Sequence, residues 1–180
     1  KEKPIDVGIG PEPLISHIYH KQALEKMGYT VETFVFAPYF ITKKFDIDTT
    51  TFPVKLAIVR IFYLYYIAIS RYKVIYFYFN GGPLKDFRII HRLEAFLYKL
   101  AKTKVVVMPY GGDVQDLRLC KNLHYINAVS KDYPIFQKTY INRIKRNMDR
   151  WVQNADHIIS GCDWVEYMYH WDTLTLTHFP

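Results

Sequence analysis

Cysteine is nearly absent from this sequence. Cys120 and Cys162 stand far apart, in no CxxC pair. That excludes a disulfide framework and a zinc-finger-like site, and points to a reducing, cytoplasmic compartment. No Asn-x-Ser/Thr sequon occurs. The chain opens Lys-Glu-Lys-Pro, with neither Met nor a signal-like apolar run, and reads as a trimmed cytosolic chain. No apolar stretch reaches the ~20 residues a membrane span needs. The nearest approach, Val54 to Ser70, carries Lys55 and Arg60 and reads as a mostly buried helix, with a helix lying on a membrane surface as the alternative. GxxxxGK[ST] and GxSxG are both missing, which removes P-loop and common α/β-hydrolase chemistry. Acidic residues are in deficit, 17 against 24 Lys and Arg, for a formal charge of +7. A basic surface favours an anionic partner.

What is plentiful is apolar residues, half of the 180. That is enough for one domain with a real core, taken here as residues 1–180. Short apolar runs alternate with segments of helical period. Strands are expected at Ile5–Gly10, Val31–Phe36, Lys73–Phe79, Lys104–Met108, His157–Ser160 and Leu174–Thr177. Helices are expected at Leu14–Met27, stopped by Gly28, at Lys55–Arg71, at Phe87–Ala101 and at Ile135–Asn154, with a short one over Asp163–Tyr169 capped by Asp163. In Phe87–Ala101 the apolar side is Leu93, Phe96, Leu97 and Leu100. Thr42–Pro53 reads as a polar loop. Strand and helix in alternation imply an α/β fold with a doubly wound, mostly parallel, Rossmann-like sheet, in which ligands bind at the carboxyl ends of strands.

Three strand ends there carry glycine. The first strand ends with Gly8 and Gly10, the third with Asn80, Gly81 and Gly82, and the fourth runs into Tyr110, Gly111, Gly112 and Asp113. Glycine lets backbone turn sharply and approach a ligand closely, so the three ends are expected to converge on one crevice. The first end is not a dinucleotide fingerprint: Pro13 takes the place of the third glycine, and no acid ends the second strand. His17 and His20 lack a carboxylate partner motif and read as surface or edge histidines rather than metal ligands. No cofactor and no metal is expected. Asp113 follows a buried strand, where a carboxylate is unwelcome unless hydrogen-bonded; it reads as functional, with a cap on the turn through Leu117 as the alternative. The basic run Lys138–Trp151 reads as a solvated helix face. Nucleic acid ranks low as a partner, because the aromatics fall inside strands and helices.

Taken in order, several stretches resemble a known family. "VGIGPEPLISHIYHKQALEKMGYTVETF", "SRYKVIYFYFNGGPL", "KTKVVVMPYGGDVQDL", "RWVQNADHIISGCDWVEYM" and "LTHFP" resemble successive steps in the N-terminal domain of retaining GT-B glycosyltransferases of the family 4 type. The resemblance covers nearly the whole chain. It implies one Rossmann-like half of a GT-B fold, holding the acceptor, while a nucleotide-sugar-binding second domain lies outside these residues. Transfer would be of hexosyltransferase type, with an isolated half inactive, in polysaccharide or glycolipid synthesis. The alternative is a non-catalytic sugar- or nucleotide-binding partner subunit. On this resemblance Asp113 is the catalytic candidate. Tyr110, Gly111, Gly112, Asn80 and Gly81 shape the acceptor side, and Gly8 and Gly10 face the donor phosphates. The chain departs from the family where Tyr110 replaces a frequent His, Gly112 a frequent Ser, and Tyr76 and Tyr78 the histidines of the third strand. No two glutamates have the seven-residue gap of the donor-domain pair.

The expected partners are a nucleotide-sugar donor, a glycan or lipid-linked acceptor, and an anionic membrane surface. The last rests on the net charge, the aromatic Val54–Ser70 segment and the basic Lys138–Arg150 helix.

Overall fold

The computed structural model describes residues 3–39, 44–53, 56–87, 89–132 and 138–175. Seven strands form one parallel sheet: β1 (Ile5–Ile9), β2 (Val31–Val35), β3 (Ile47–Asp48), β4 (Tyr72–Tyr78), β5 (Lys104–Met108), β6 (His157–Gly161) and β7 (Thr173–Thr175). Their order is β3-β2-β1-β4-β5-β6-β7, so the winding reverses between β1 and β4. There Ile5 pairs with Tyr72, Val7 with Val74 and Ile9 with Tyr76. This is the doubly wound, Rossmann-like class that the alternation predicts. β4 is fully buried from Ile75 to Tyr78, as a central parallel strand between two covered faces should be.

Among the described residues five α-helices accompany the strands: α1 (Ile15–Lys26), α2 (Ala57–Arg71), α3 (Glu94–Leu100), α4 (Leu123–Asp132) and α5 (Lys138–Asn154). Gly28 ends α1 with φ +91°, a left-handed conformation that suits glycine. α5 is amphipathic in the expected sense, burying Ile144, Met148 and Trp151 at spacings of four and three.

Several expectations need correcting. The loop Thr42–Pro53 contains β3, held because the Asp46 carboxylate accepts from the Thr33 amide at 2.7 Å and from its hydroxyl at 2.8 Å. α4 is a helix that apolar periodicity did not suggest. The expected helix at Phe87–Ala101 is broken into a 3-10 turn at Ile90–Arg92 and α3. α3 also faces the other way: Glu94, Ala95 and Tyr98 are buried, while Leu93, Phe96 and Leu100 are exposed. The helix expected from Asp163 is a three-residue 3-10 turn, Cys162–Trp164, preceded by Gly161 and without a side-chain cap. Leu176 and Thr177 of the last strand, and with them the whole "LTHFP" stretch, lie outside the described residues, as do Val54 and Lys55 of the aromatic segment and residues 135–137 of the basic one.

The chain forms two compact units. The first comprises Lys1–Phe77 and Gly81–Val106, and the second Tyr78–Asn80 and Val107–Pro180.

Candidate functional site

In the first unit, the switch point lies where β1 and β4 end. Gly8 and Gly10 are there for packing. A Cβ on Gly8 would overlap the Tyr72 ring, and one on Gly10 would overlap the Phe34 carbonyl oxygen. The Gly10 amide donates to the Tyr76 carbonyl at 3.2 Å. The internal fit accounts for both glycines without a ligand. Helix α1 starts at Ile15 with no side-chain cap.

The loops after β1 and β4 meet through an ion pair between Glu12 and Lys85, both largely shielded from solvent. Gly81 turns the chain with φ +108°. Gly82 has no room for a side chain, since a Cβ would stand 2.5 Å from Glu94 Oε1 and 2.7 Å from the Tyr98 hydroxyl oxygen. The buried Glu94 carboxylate accepts from the Leu84 amide and from Tyr98 OH, each at 3.1 Å. Burial, then the Glu94 charge, push the Tyr65 hydroxyl up to about 12, and the same two causes raise Tyr98 well above its usual value.

His17 and His20, read from sequence as surface or edge residues, pack edge-on against the Tyr76 ring, with centroids at 6.1 and 5.4 Å. His17 is fully buried. Burial, and secondarily the neighbouring His20, lower its pKa to about 3; burial also lowers that of His20. Both imidazoles are therefore neutral at physiological pH. Helix α1 thus sets two imidazoles beside the Tyr76 ring of β4. Among the described residues no group of three His, Cys, Asp or Glu side chains is placed to hold a metal ion.

In the second unit, Asp113 organises the loop after β5. One carboxylate oxygen accepts from the Tyr110 and Gly111 amides at 3.1 and 2.9 Å, and the other from the Phe79 amide at 3.0 Å. The side chain thus ties the end of β4 to the loop after β5. It does not cap the turn ahead of it; that turn closes through backbone bonds from the Val114 and Gln115 amides to the Gly111 carbonyl. Asp113 is buried, and burial raises its pKa to about 6 against the opposing pull of the backbone amides. Gly111 takes φ +140°, and a Cβ there would stand 3.2 Å from the Trp164 ring. Strain and crowding both favour glycine at that position. Gly112 is exposed, and a Cβ there would stand 3.9 Å from the Tyr140 hydroxyl.

Tyr110 is exposed, its ring set edge-on to Tyr78 at 5.1 Å, and its hydroxyl accepts from Asn80 Nδ2 at 2.8 Å. Tyr110 and Asn80 therefore form a polar rim across the loops after β5 and β4, which Asp113 ties together from beneath. Sequence reading selected these residues but not Glu12, Lys85, Glu94 or the buried His17. The signal available for the first two was opposite charges just past two strands that a doubly wound order makes neighbours.

The fold and these loops define a doubly wound α/β protein with polar groups at the carboxyl ends of β1, β4 and β5. Compared with protein-family models, curated proteins and solved structures, the chain matches none.

Proposed function

We propose that this chain is the acceptor-side domain of a nucleotide-sugar-dependent glycosyltransferase of hexosyltransferase type, acting on a glycan or lipid-linked acceptor. The observation that carries this reading is the Tyr110–Asn80 rim, held on a loop that Asp113 locks through three backbone amides. A phenol hydroxyl and a carboxamide on fixed backbone suit a polyhydroxylated ligand, which needs donors and acceptors at set positions. The ordered resemblance to retaining GT-B enzymes supports the same class. In that reading Asp113 is a positioning residue: it fixes the rim and does not touch the acceptor.

A second reading, a sugar-binding partner without transfer of its own, is favoured by the same burial of Asp113, because its carboxylate is taken up by backbone amides and leaves no base free at the rim. Saturation-transfer NMR with an oligosaccharide panel tests both. We expect binding that weakens about tenfold in Tyr110→Ala or Asn80→Ala, the scale of one or two lost hydrogen bonds. Mixing with a nucleotide-sugar-binding domain and UDP- or GDP-hexose separates the readings: transfer supports the enzyme, and binding without transfer supports the partner. Absence of saccharide binding and of transfer overturns both.

A further inference from the structure

We infer that the first unit docks on the surface of an anionic phospholipid bilayer through one outward face made by α2 and α3. This goes beyond the transfer reading and does not depend on it. The face consists of apolar side chains that the fold leaves uncovered. On α2, Ile58, Phe62 and Tyr66 recur every four residues and are exposed, with Ile58 at 62% and Tyr66 at 64%. The opposite side of the same helix buries Leu64, Tyr65, Ile67 and Ala68. Leu93, which precedes the first residue of α3, and Phe96 and Leu100 on α3 form a second stripe, Phe96 at 62% and Leu100 at 70% exposed. The Phe62 ring of the first stripe meets that of Phe87, in the segment leading to α3, with centroids 5.4 Å apart, and the Tyr65 ring of α2 lies 5.7 Å from that of Tyr98 on α3. Isolated exposed apolar residues are ordinary; stripes on two helices, linked through aromatic rings, are not.

Charge identifies the occupant. Residues 53–112 hold ten Lys and Arg and only two acids, so this third of the chain carries a net +8 while the other 120 residues together carry −1. One of the two acids, Glu94, is buried. Arg71, Lys73 and Lys85 pair with Glu32, Asp6 and Glu12. Arg92, Lys99 and Lys102 are exposed and make no ion pair among the described residues. Lys99 lies three residues after Phe96 on α3, and Arg92 ends the 3-10 turn just before that helix, so the two bracket the α3 stripe. Aromatic and aliphatic side chains rimmed by Lys and Arg match an interface of acyl chains beneath anionic head groups, with the basic heads snorkelling to the phosphates. A second copy of this chain fits poorly there, because a two-fold pairing would set one basic rim against the other. No helix among the described residues is long and apolar enough to cross a membrane, so the contact is one of lying on the surface.

The test is flotation of the protein with phosphatidylcholine vesicles and with vesicles containing about a third phosphatidylglycerol, at low and high salt. We expect binding to the anionic vesicles, reduced by salt. Phe96→Gln with Leu100→Gln, and separately Arg92→Glu with Lys99→Glu, should each weaken partitioning at least about tenfold. Lys145→Glu with Arg146→Glu on α5 should change it less than about twofold. Circular dichroism and urea melts confirm that each variant is folded, and the exposed positions make that the expected result. Absence of binding at low salt, equal binding to neutral vesicles, or a loss confined to the α5 variant overturns the inference. So does sedimentation showing a dimer that Phe96→Gln dissociates, or capture of an acidic protein in place of lipid, since either outcome assigns the face to a different occupant.

Discussion

α3 in the first unit and α5 in the second are both amphipathic in sequence, yet they settle in opposite senses. α5 buries Ile144, Met148 and Trp151 and leaves Arg143, Lys145 and Arg146 in water. α3 buries Glu94 with Ala95 and Tyr98 and leaves Leu93, Phe96 and Leu100 outside. What reverses α3 is the set of partners available to its polar side. Glu94 finds the Leu84 amide and Tyr98 OH, the missing side chain of Gly82 makes room for both, and the Tyr98 ring lies 5.7 Å from that of Tyr65 and 6.1 Å from that of Phe77. A buried polar group is tolerable when it is hydrogen-bonded. Periodicity shows that a helix has two faces; it does not say which one the neighbours can accommodate.

The largest expected effect breaks the conventional member of the pair. Trp151 is fully buried, and Trp151→Ala should cost about 3–5 kcal/mol in urea unfolding, the range for removing a buried aromatic side chain. A loss below about 1 kcal/mol would mean that α5 does not pack as described.

The next effect contrasts the buried titratable groups of the two units. His17 has a lowered pKa, about 3 against 6.5, so folding excludes a proton that the unfolded chain binds below pH 6.5. Its contribution is intact above 6.5 and is lost as the pH falls towards 3, at up to about 1.4 kcal/mol per pH unit. Asp113 has a raised pKa, about 6 against 3.8, so it has the opposite sign: stability is gained as the pH falls from about 6 towards 3.8. His17→Phe should flatten the acid loss of stability between about pH 6.5 and 4.5, leaving the smaller share due to His20, and Asp113→Asn should steepen it. Denaturation midpoints across that window decide the matter, and parallel curves for wild type and both variants would refute the assignment.

Much of this architecture was legible beforehand. β5 matches its expected bounds and β1, β2 and β4 lie within one residue of theirs, because buried parallel strands are short apolar runs closed by glycine or polar residues. The loop Tyr110–Asp113 was legible as a special turn, from two glycines and an acid beyond a buried strand. The reason for Asp113 was not: its three amide donors include Phe79, 34 residues away, a pairing that only the sheet order creates. The packing at Gly8 and Gly10 was hidden for the same cause, since Tyr72 and Phe34, which fill the spaces opposite them, come from distant parts of the chain. β3 is two residues long and depends on Asp46 reaching Thr33, which leaves no pattern in the local sequence.

A smaller effect sharpens the account of α3 itself. Gly82→Ala places a Cβ against Glu94 Oε1 and the Tyr98 hydroxyl and should cost about 1–3 kcal/mol as overpacking. Tyr98→Phe removes one of the two obstructing atoms, so the double variant should be less destabilised than the sum of the single ones, with a coupling of at least about 0.5 kcal/mol. Strict additivity would place Gly82 away from the cluster.

The smallest expected effect is the most informative about the reversed helix. Phe96→Gln replaces a large apolar ring with a polar side chain of good helix propensity at a solvent-facing position. Were α3 oriented as its periodicity suggests, Phe96 would be a core residue and the change would cost several kcal/mol, as at Trp151. With the ring in water, little apolar contact is lost and no buried polar atom is created, so the unfolding free energy should move by no more than about 0.5 kcal/mol. Ala95 is the control on the same helix: it is buried, and Ala95→Gln forces a longer polar side chain into filled space and should cost well over about 1 kcal/mol. The same substitute at adjacent positions, tolerated at one and damaging at the other, is the outcome that the orientation of α3 requires; the reverse pattern, with Phe96→Gln the more damaging, would restore the buried stripe and remove the basis for an apolar docking face.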